Sequence, residues 1–183
     1  MAKVLILNGS PRLRGNTNAL IESFKKGLAK GDNEIVTFNV AFMKIHDSIG
    51  NGGYPEEHQG KACLIQDDML QIEPHLEEAD VVVFASPLYF YSFSGYLKNV
   101  IDRLDTSFLP GSLSGKKLIV MLAFSGEDLS SLEPVKEQSR LIAEHLGWDL
   151  FSFLSLAGVK KTKDYEQHLN QLETAYQLGL KIH

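Results

Sequence analysis

The sequence predicts an α/β protein built on a parallel sheet with crossover helices on both faces, and three observations carry the prediction. Five short apolar runs are separated by longer stretches with helical spacing, the alternation expected of parallel strands joined by helices. The runs are near-continuous, as in Val81 to Val83, which suits strands that meet water on neither side. At 183 residues, 44% hydrophobic and 22% charged, the chain suits one domain, 1–183, that buries roughly 70% of the surface its unfolded form exposes.

Taken in order, "KVLIL" (3–7) predicts the first strand, and Leu20, Ile21, Phe24 and Leu28 share one face of a helix over Thr17 to Ala29. "EIVTFNV" (34–40) predicts the second strand. Residues 41–66, rich in Gly, Asn and His, break the rhythm, and loops of that length are uncommon unless functional or mobile. "QDDML" reads as a helix start with Asp67 or Asp68 as N-cap. Pro74 removes a backbone donor from that helix, which predicts a kink or a late start at "EPHLEEA". "DVVVFAS" (80–86) is the third strand, and Leu97, Val100, Ile101 and Leu104 line a helix over Gly95 to Leu104. "KLIVMLAF" (117–124) precedes a helix from about Leu132 to Leu146 that Gly147 stops, and "LFSFLSLA" (150–157) precedes a helix from Lys163 to about Leu178.

Composition excludes several classes. A formal net charge of −5 argues against nucleic acid, whose phosphates demand a basic face, and "KKTK" (160–163) reads as a solvated helix start. With no apolar run of about 18 residues, no membrane span is expected. The apolar stretch in "MAKVLILNGSPR" is too short for a signal peptide, so a cytoplasmic protein is expected. The single cysteine, Cys63, forms no intrachain disulfide and fits a reducing compartment.

"NGSPRLRGNT" (8–17) follows the first strand, at the carboxyl edge where open α/β sheets bind ligands. Five residues separate Gly9 from Gly15 where a triphosphate-binding loop needs four, and Asn16 stands in place of its lysine. The glycines also fail the dinucleotide spacing, and the second strand ends without an acid for the ribose. What remains is one terminal phosphate at a helix N-terminus, with donors from Ser10, Asn16, Thr17, Asn18 and Arg12. The plain alternative is a turn at Ser10 and Pro11, a cap at Thr17 and solvated arginines.

A second edge loop, "SPLYFYSFSG" (86–95), places Tyr89, Phe90, Tyr91 and Phe93 beside solvent, as a groove for a flat ring or as a dimer interface or minor core, with Ser92 and Ser94 as polar contacts or the helix cap. A third, "FSGEDL", offers the backbone N–H groups of Ser125 and Gly126 to a ring carbonyl, or forms an ordinary turn with Asp128 or Ser130 as cap. Together the three loops suit a planar mononucleotide.

These motifs, with "DDM" and "EADVVVFASPLYFYSFSGYLKNVIDR", resemble the flavodoxin-like NAD(P)H-dependent FMN reductase family, especially its iron-sulfur flavoprotein branch, over most of residues 3–157. The resemblance implies a doubly wound five-stranded parallel sheet of order 2-1-3-4-5. It implies FMN, its phosphate held by Ser10, Arg12, Asn16, Thr17 and Asn18, its ring bordered by Pro87, Leu88, Tyr89 and Phe90, with Ser125, Gly126 and Glu127 near the pyrimidine side. It also implies a homodimer or homotetramer in which a neighbouring subunit completes the flavin pocket.

The branch carries cluster-ligating cysteines, but the matching positions are Ser48, Asn51, Tyr54 and Cys63, and one thiol does not hold an iron-sulfur cluster, so none is expected. Cys63 reads as a small apolar residue, and His46, Asp47 and His58 are too irregularly spaced to favour a metal site. The expected activity is hydride transfer from NADH or NADPH through FMN to a small acceptor: a quinone, a nitro or azo compound, or free flavin. No catalytic acid or base of the protein's own is expected. The rivals are a flavodoxin-type electron carrier and a flavin-free binding or regulatory protein that keeps the fold.

Overall fold

The computed structural model describes residues 1–48, 65–104 and 111–183. Strands β1 (Lys3–Asn8), β2 (Glu34–Phe38), β3 (Val81–Pro87), β4 (Lys117–Ala123) and β5 (Asp149–Leu156) form one parallel sheet in the order 2-1-3-4-5. Helices α1 (Asn16–Leu28), α2 (Met69–Glu78), α3 (Gly95–Arg103), α4 (Glu133–Leu146) and α5 (Leu169–Leu180) cover both of its faces.

Side chains alternate between the two faces with the period of two that a strand imposes. Leu5, Leu7, Val82, Phe84, Leu118, Val120 and Leu122 pack with α2, α3 and α4. Val4, Ile6, Val83, Ile119 and Met121 pack with α1 and α5. Both sets are buried, which explains why these strands read as continuous apolar runs. Helices α1 and α5 meet backbone to backbone: a Cβ on Gly27 would lie 2.2 Å from the Tyr176 carbonyl oxygen.

Three elements depart from the sequence-based expectation. β2 ends at Phe38, and a 3₁₀ turn over Val40–Phe42 replaces its predicted end, because Asn39 leaves the strand conformation at ψ 81° while its Oδ1 accepts a hydrogen bond from Asn8 (2.8 Å). The last helix begins at Leu169 rather than Lys163: the Asp164 carboxylate accepts from the N–H groups of Lys160 (2.8 Å) and Lys161 (2.7 Å), holding a 3₁₀ turn over Asp164–Gln167. Helix α2 starts at Met69, not late, and runs through Pro74. By contrast, Gly147 ends α4 at φ 67°, the left-handed stop its glycine implied.

Asp67 does more than start a helix. Its carboxylate accepts from Met69 N (2.9 Å), from His46 N (2.8 Å) and from the Arg103 guanidinium (2.9 Å), and both members of this ion pair are buried. The pair ties the chain leaving β2 to the start of α2 and the end of α3. Burial alone would raise the Asp67 carboxyl, but donation from His46, Arg103 and Met69 outweighs it and holds the group below its ordinary 3.8. Asp67→Ala, which removes the counter-charge of the buried Arg103 guanidinium, is expected to lower stability at pH 7 by about 3 to 5 kcal/mol in urea unfolding. With a depressed folded pKa, the wild-type contribution is complete above pH 3.8 and disappears as pH falls through the lower folded value, so the two unfolding curves should converge in acid.

Candidate functional site

At the carboxyl edge of the sheet a cavity of about 260 Å³ gathers residues from four loops. Ser10, Arg12, Gly15, Asn16 and Thr17 come from the β1–α1 loop and the first turn of α1; Pro87 ends β3 and Leu88 and Tyr89 follow it; Ala123 ends β4 and Phe124 and Ser125 follow it; Val159 and Lys160 follow β5.

The first loop is shaped by Asn8, the last residue of β1, whose side chain is buried and fully engaged. Its Nδ2 donates to Asn18 Oδ1 (2.7 Å) and Asn39 Oδ1 (2.8 Å), and its Oδ1 accepts from Ser10 N (3.0 Å). Gly15 precedes α1, where the first helical bond runs from Ala19 N to the Gly15 carbonyl (3.2 Å). The N–H groups of Asn16, Thr17 and Asn18 therefore precede the helical ladder, and the helix end attracts negative charge. Ser10 Oγ accepts from Arg12 N (3.3 Å), which leaves its hydroxyl proton available to an anion.

The second loop is locked to the first. Ser94 Oγ donates to the Gly9 carbonyl (2.8 Å) and accepts from Leu97 N (3.4 Å), which makes Ser94 the N-cap of α3. Ser94 N donates to Ser86 Oγ (2.8 Å), and Leu88 N to the Ala123 carbonyl (3.0 Å). Mutual bonds between Tyr89 and Ser92 (2.9 and 3.0 Å) close a two-residue turn with Phe90 at φ 47° and Tyr91 at φ 64°. Both are left-handed positions that glycine and asparagine favour, and each costs a side-chain-bearing residue roughly 1–2 kcal/mol.

Of the residues assigned to a mononucleotide from sequence, Ser10, Arg12, Asn16, Thr17, Pro87, Leu88, Tyr89 and Ser125 line one cavity. Asn18, Phe90, Gly126 and Glu127 do not: Asn18 bonds to Asn8 and to the Leu13 carbonyl, and Phe90 is 99% exposed. The Gly126 carbonyl accepts from Gly158 N (2.7 Å), and Glu127 lies on the surface 3.9 Å from Lys160. The Asn16 side chain is spent as a strut: its Nδ2 donates to the Lys161 carbonyl (3.0 Å) and its Oδ1 accepts from Tyr165 N (3.1 Å). Of the aromatic loop, Phe93 is core, packed edge-on to Phe84 with centroids 5.9 Å apart.

Sequence reasoning missed Gly15, Ala123, Phe124, Val159 and Lys160. The readable signal was position: every loop that follows a parallel strand opens on the same edge, the fifth included. Asn51, Tyr54, His58 and Cys63 lie outside the described residues, among which no group of three or more metal-ligating side chains converges and no helix is long and apolar enough to cross a membrane. A larger groove, about 760 Å³, lies between α3 and α4 beside Phe90 and Tyr91. Its lining is mostly apolar, whereas the strand-edge cavity brings Ser10, Arg12, Thr17 and Lys160 together as donors suited to an anion, and that edge is therefore the candidate site.

A protein with this sheet and this edge site falls in the flavodoxin-like class. The NADPH-dependent FMN reductase family matches residues 2–157, and the chain belongs to that family. An iron-sulfur flavoprotein of Methanocaldococcus jannaschii is 36% identical over 101 residues, 55% of this chain and 51% of that protein. The chain thus spans about half the length of the curated relatives it matches first. An FMN-dependent NADPH-azoreductase of Staphylococcus saprophyticus is 29% identical, over 79% of this chain and 71% of its own. In fold, the chain superposes on an NAD(P)H:quinone oxidoreductase from Methanothermobacter marburgensis with a TM-score of 0.77 at 18% identity, covering 100% and 98% of the two chains.

The close approach of the first two loops has a direct test. A Cβ on Gly9 would lie 2.5 Å from Ser94 Oγ and 2.7 Å from Leu97 Cβ. Gly9→Ala is expected to destabilise the protein by about 1–3 kcal/mol in urea unfolding, with faster amide exchange at Ser10 and Ser94 than in the wild type.

Proposed function

We propose that residues 1–183 act as one FMN-binding domain and that the protein is an NAD(P)H-dependent oxidoreductase. Its acceptor is a small molecule of the quinone, nitro, azo or free-flavin class. The carrying observation is the convergence, in one edge cavity, of an anion cradle with an apolar and aromatic wall.

The residues present fit FMN by donor chemistry. A phosphate dianion suits the open N–H groups at the start of α1, the hydroxyls of Ser10 and Thr17, and the Arg12 guanidinium. Pro87, Leu88, Tyr89 and Phe124 offer the flat, largely apolar surface that an isoalloxazine needs, and Ser125 lies beside them. Bound FMN supplies the chemistry, accepting hydride from a nicotinamide and returning electrons to an acceptor. The protein's part is to hold the phosphate, fix the ring plane through the Ser94-anchored second loop, and keep one ring face open. Asn18, Phe90, Gly126 and Glu127 support or border these loops rather than line the cavity.

We read the chain as free of an iron-sulfur cluster, because Ser48, Asn51 and Tyr54 offer no thiolate. We place it in the cytoplasm and read it as a homodimer or homotetramer. Support for self-association comes from Phe90, fully exposed on a strained turn at the lip of the apolar α3–α4 groove, so that knob and socket share one patch, as a two-fold interface requires.

Two outcomes follow. Arg12→Ala is expected to weaken FMN binding about 10- to 100-fold by fluorescence titration and to lower FMN-dependent reduction of a quinone or azo dye in proportion at subsaturating FMN, the loss of one charge-assisted contact. Equal FMN affinity in both proteins removes Arg12 from the site. Phe90→Asp is expected to lower the mass measured by light scattering at micromolar concentration towards that of a monomer, while an unchanged mass excludes the turn from the interface.

A further inference from the structure

The loop after β5 is built more firmly than a connection to α5 requires. Asp164 accepts from the N–H groups of both Lys160 and Lys161, Val159 N donates to the Phe124 carbonyl (3.0 Å), and Gly158 N donates to the Gly126 carbonyl. On its other side, both polar ends of the Asn16 side chain grip it, at the Lys161 carbonyl and at Tyr165 N. Residues 158–165 are thereby fixed between the β4 loop and the N-terminus of α1, and Lys160 lines the same cavity as Arg12.

Charge balance says what such a lysine is for. A flavin phosphate carries close to two negative charges at neutral pH, the end of α1 offers about half a positive charge, and Arg12 offers one. Roughly half a charge is left over. Among the described residues that line the cavity, Lys160 is the other cation. Its partner Glu127 is 3.9 Å away, with side chains 67% and 82% exposed, an arrangement too long and too wet to hold it.

We propose that Lys160 is a second phosphate-binding residue, exchanging Glu127 for the cofactor's phosphate, and that Asn16 is the positioning residue that fixes its loop. The inference rests on the cavity being a flavin site. It places a phosphate contact on the fifth strand's loop and gives Glu127 the role of a competing anion.

FMN and riboflavin, which share the ring and ribityl chain but differ in the phosphate, separate the possibilities. In fluorescence titrations of the full chain, Lys160→Gln is expected to weaken FMN about tenfold and leave riboflavin unchanged, and Glu127→Gln to tighten FMN two- to fivefold. Lys160→Arg, which keeps the charge, should restore most of the FMN affinity. If wild type binds FMN but Lys160→Gln binds it equally well, or loses FMN and riboflavin alike, the assignment of Lys160 to the phosphate is overturned. Failure of the wild type to bind FMN at all overturns instead the flavin reading of the cavity.

Discussion

The contact of Gly9 with the N-terminus of α3 is the constraint on which the site depends. Two loops that follow neighbouring strands β1 and β3 are brought together so closely that no Cβ fits between them, and Ser94 joins them by a hydrogen bond to the Gly9 carbonyl. One side of this junction carries the open N–H groups of α1, and the other carries Pro87, Leu88 and Tyr89. The distance between the start of α1 and an apolar wall is therefore set by the packing of Gly9 against the buried Ser94 and Leu97 rather than by exposed, mobile side chains. A ligand with a charged end and a flat end meets a spacing already in place, which lowers the cost of ordering on binding.

Polar side chains inside this edge act as braces. Asn8 ties the β1 loop to Asn18 of α1 and to Asn39 after β2, Asn16 spans to the β5 loop, and Ser86 and Ser94 hold the β3 loop. Buried polar groups are costly unless bonded, and here each is bonded, so the network stiffens the edge instead of weakening it. The left-handed turn at Phe90 and Tyr91 stands apart. Two aromatic residues adopt backbone positions that disfavour them while Phe90 gains no burial in the single chain. An unrewarded cost of this kind is characteristic of a surface that meets another molecule.

Much of this was legible in the sequence because buried parallel strands leave continuous apolar runs, and those runs locate their own carboxyl ends. Val81 to Val83 and the glycine at 147 are local signals with one physical meaning each. Asn16 was legible as a residue of the site but not as a brace, because its partners are the Lys161 carbonyl, 145 residues away, and the Tyr165 N–H, 149 away. Lys160 was read with "KKTK" as the start of a helix, since nothing in that string announces that Asp164 would bind the backbone and delay α5 to Leu169. Asp67 was visible as a cap but not as the partner of Arg103, because a buried ion pair between α2 and α3 depends on packing that spacing does not encode.

If the edge cavity holds a flavin, as we propose, a nicotinamide reduces it there. Anaerobic addition of NADPH or NADH to the FMN-loaded protein measures this directly. Prompt loss of the yellow absorbance, and its return on adding a quinone, is the predicted result. An FMN-loaded protein that stays yellow with both donors is not an NAD(P)H-dependent reductase.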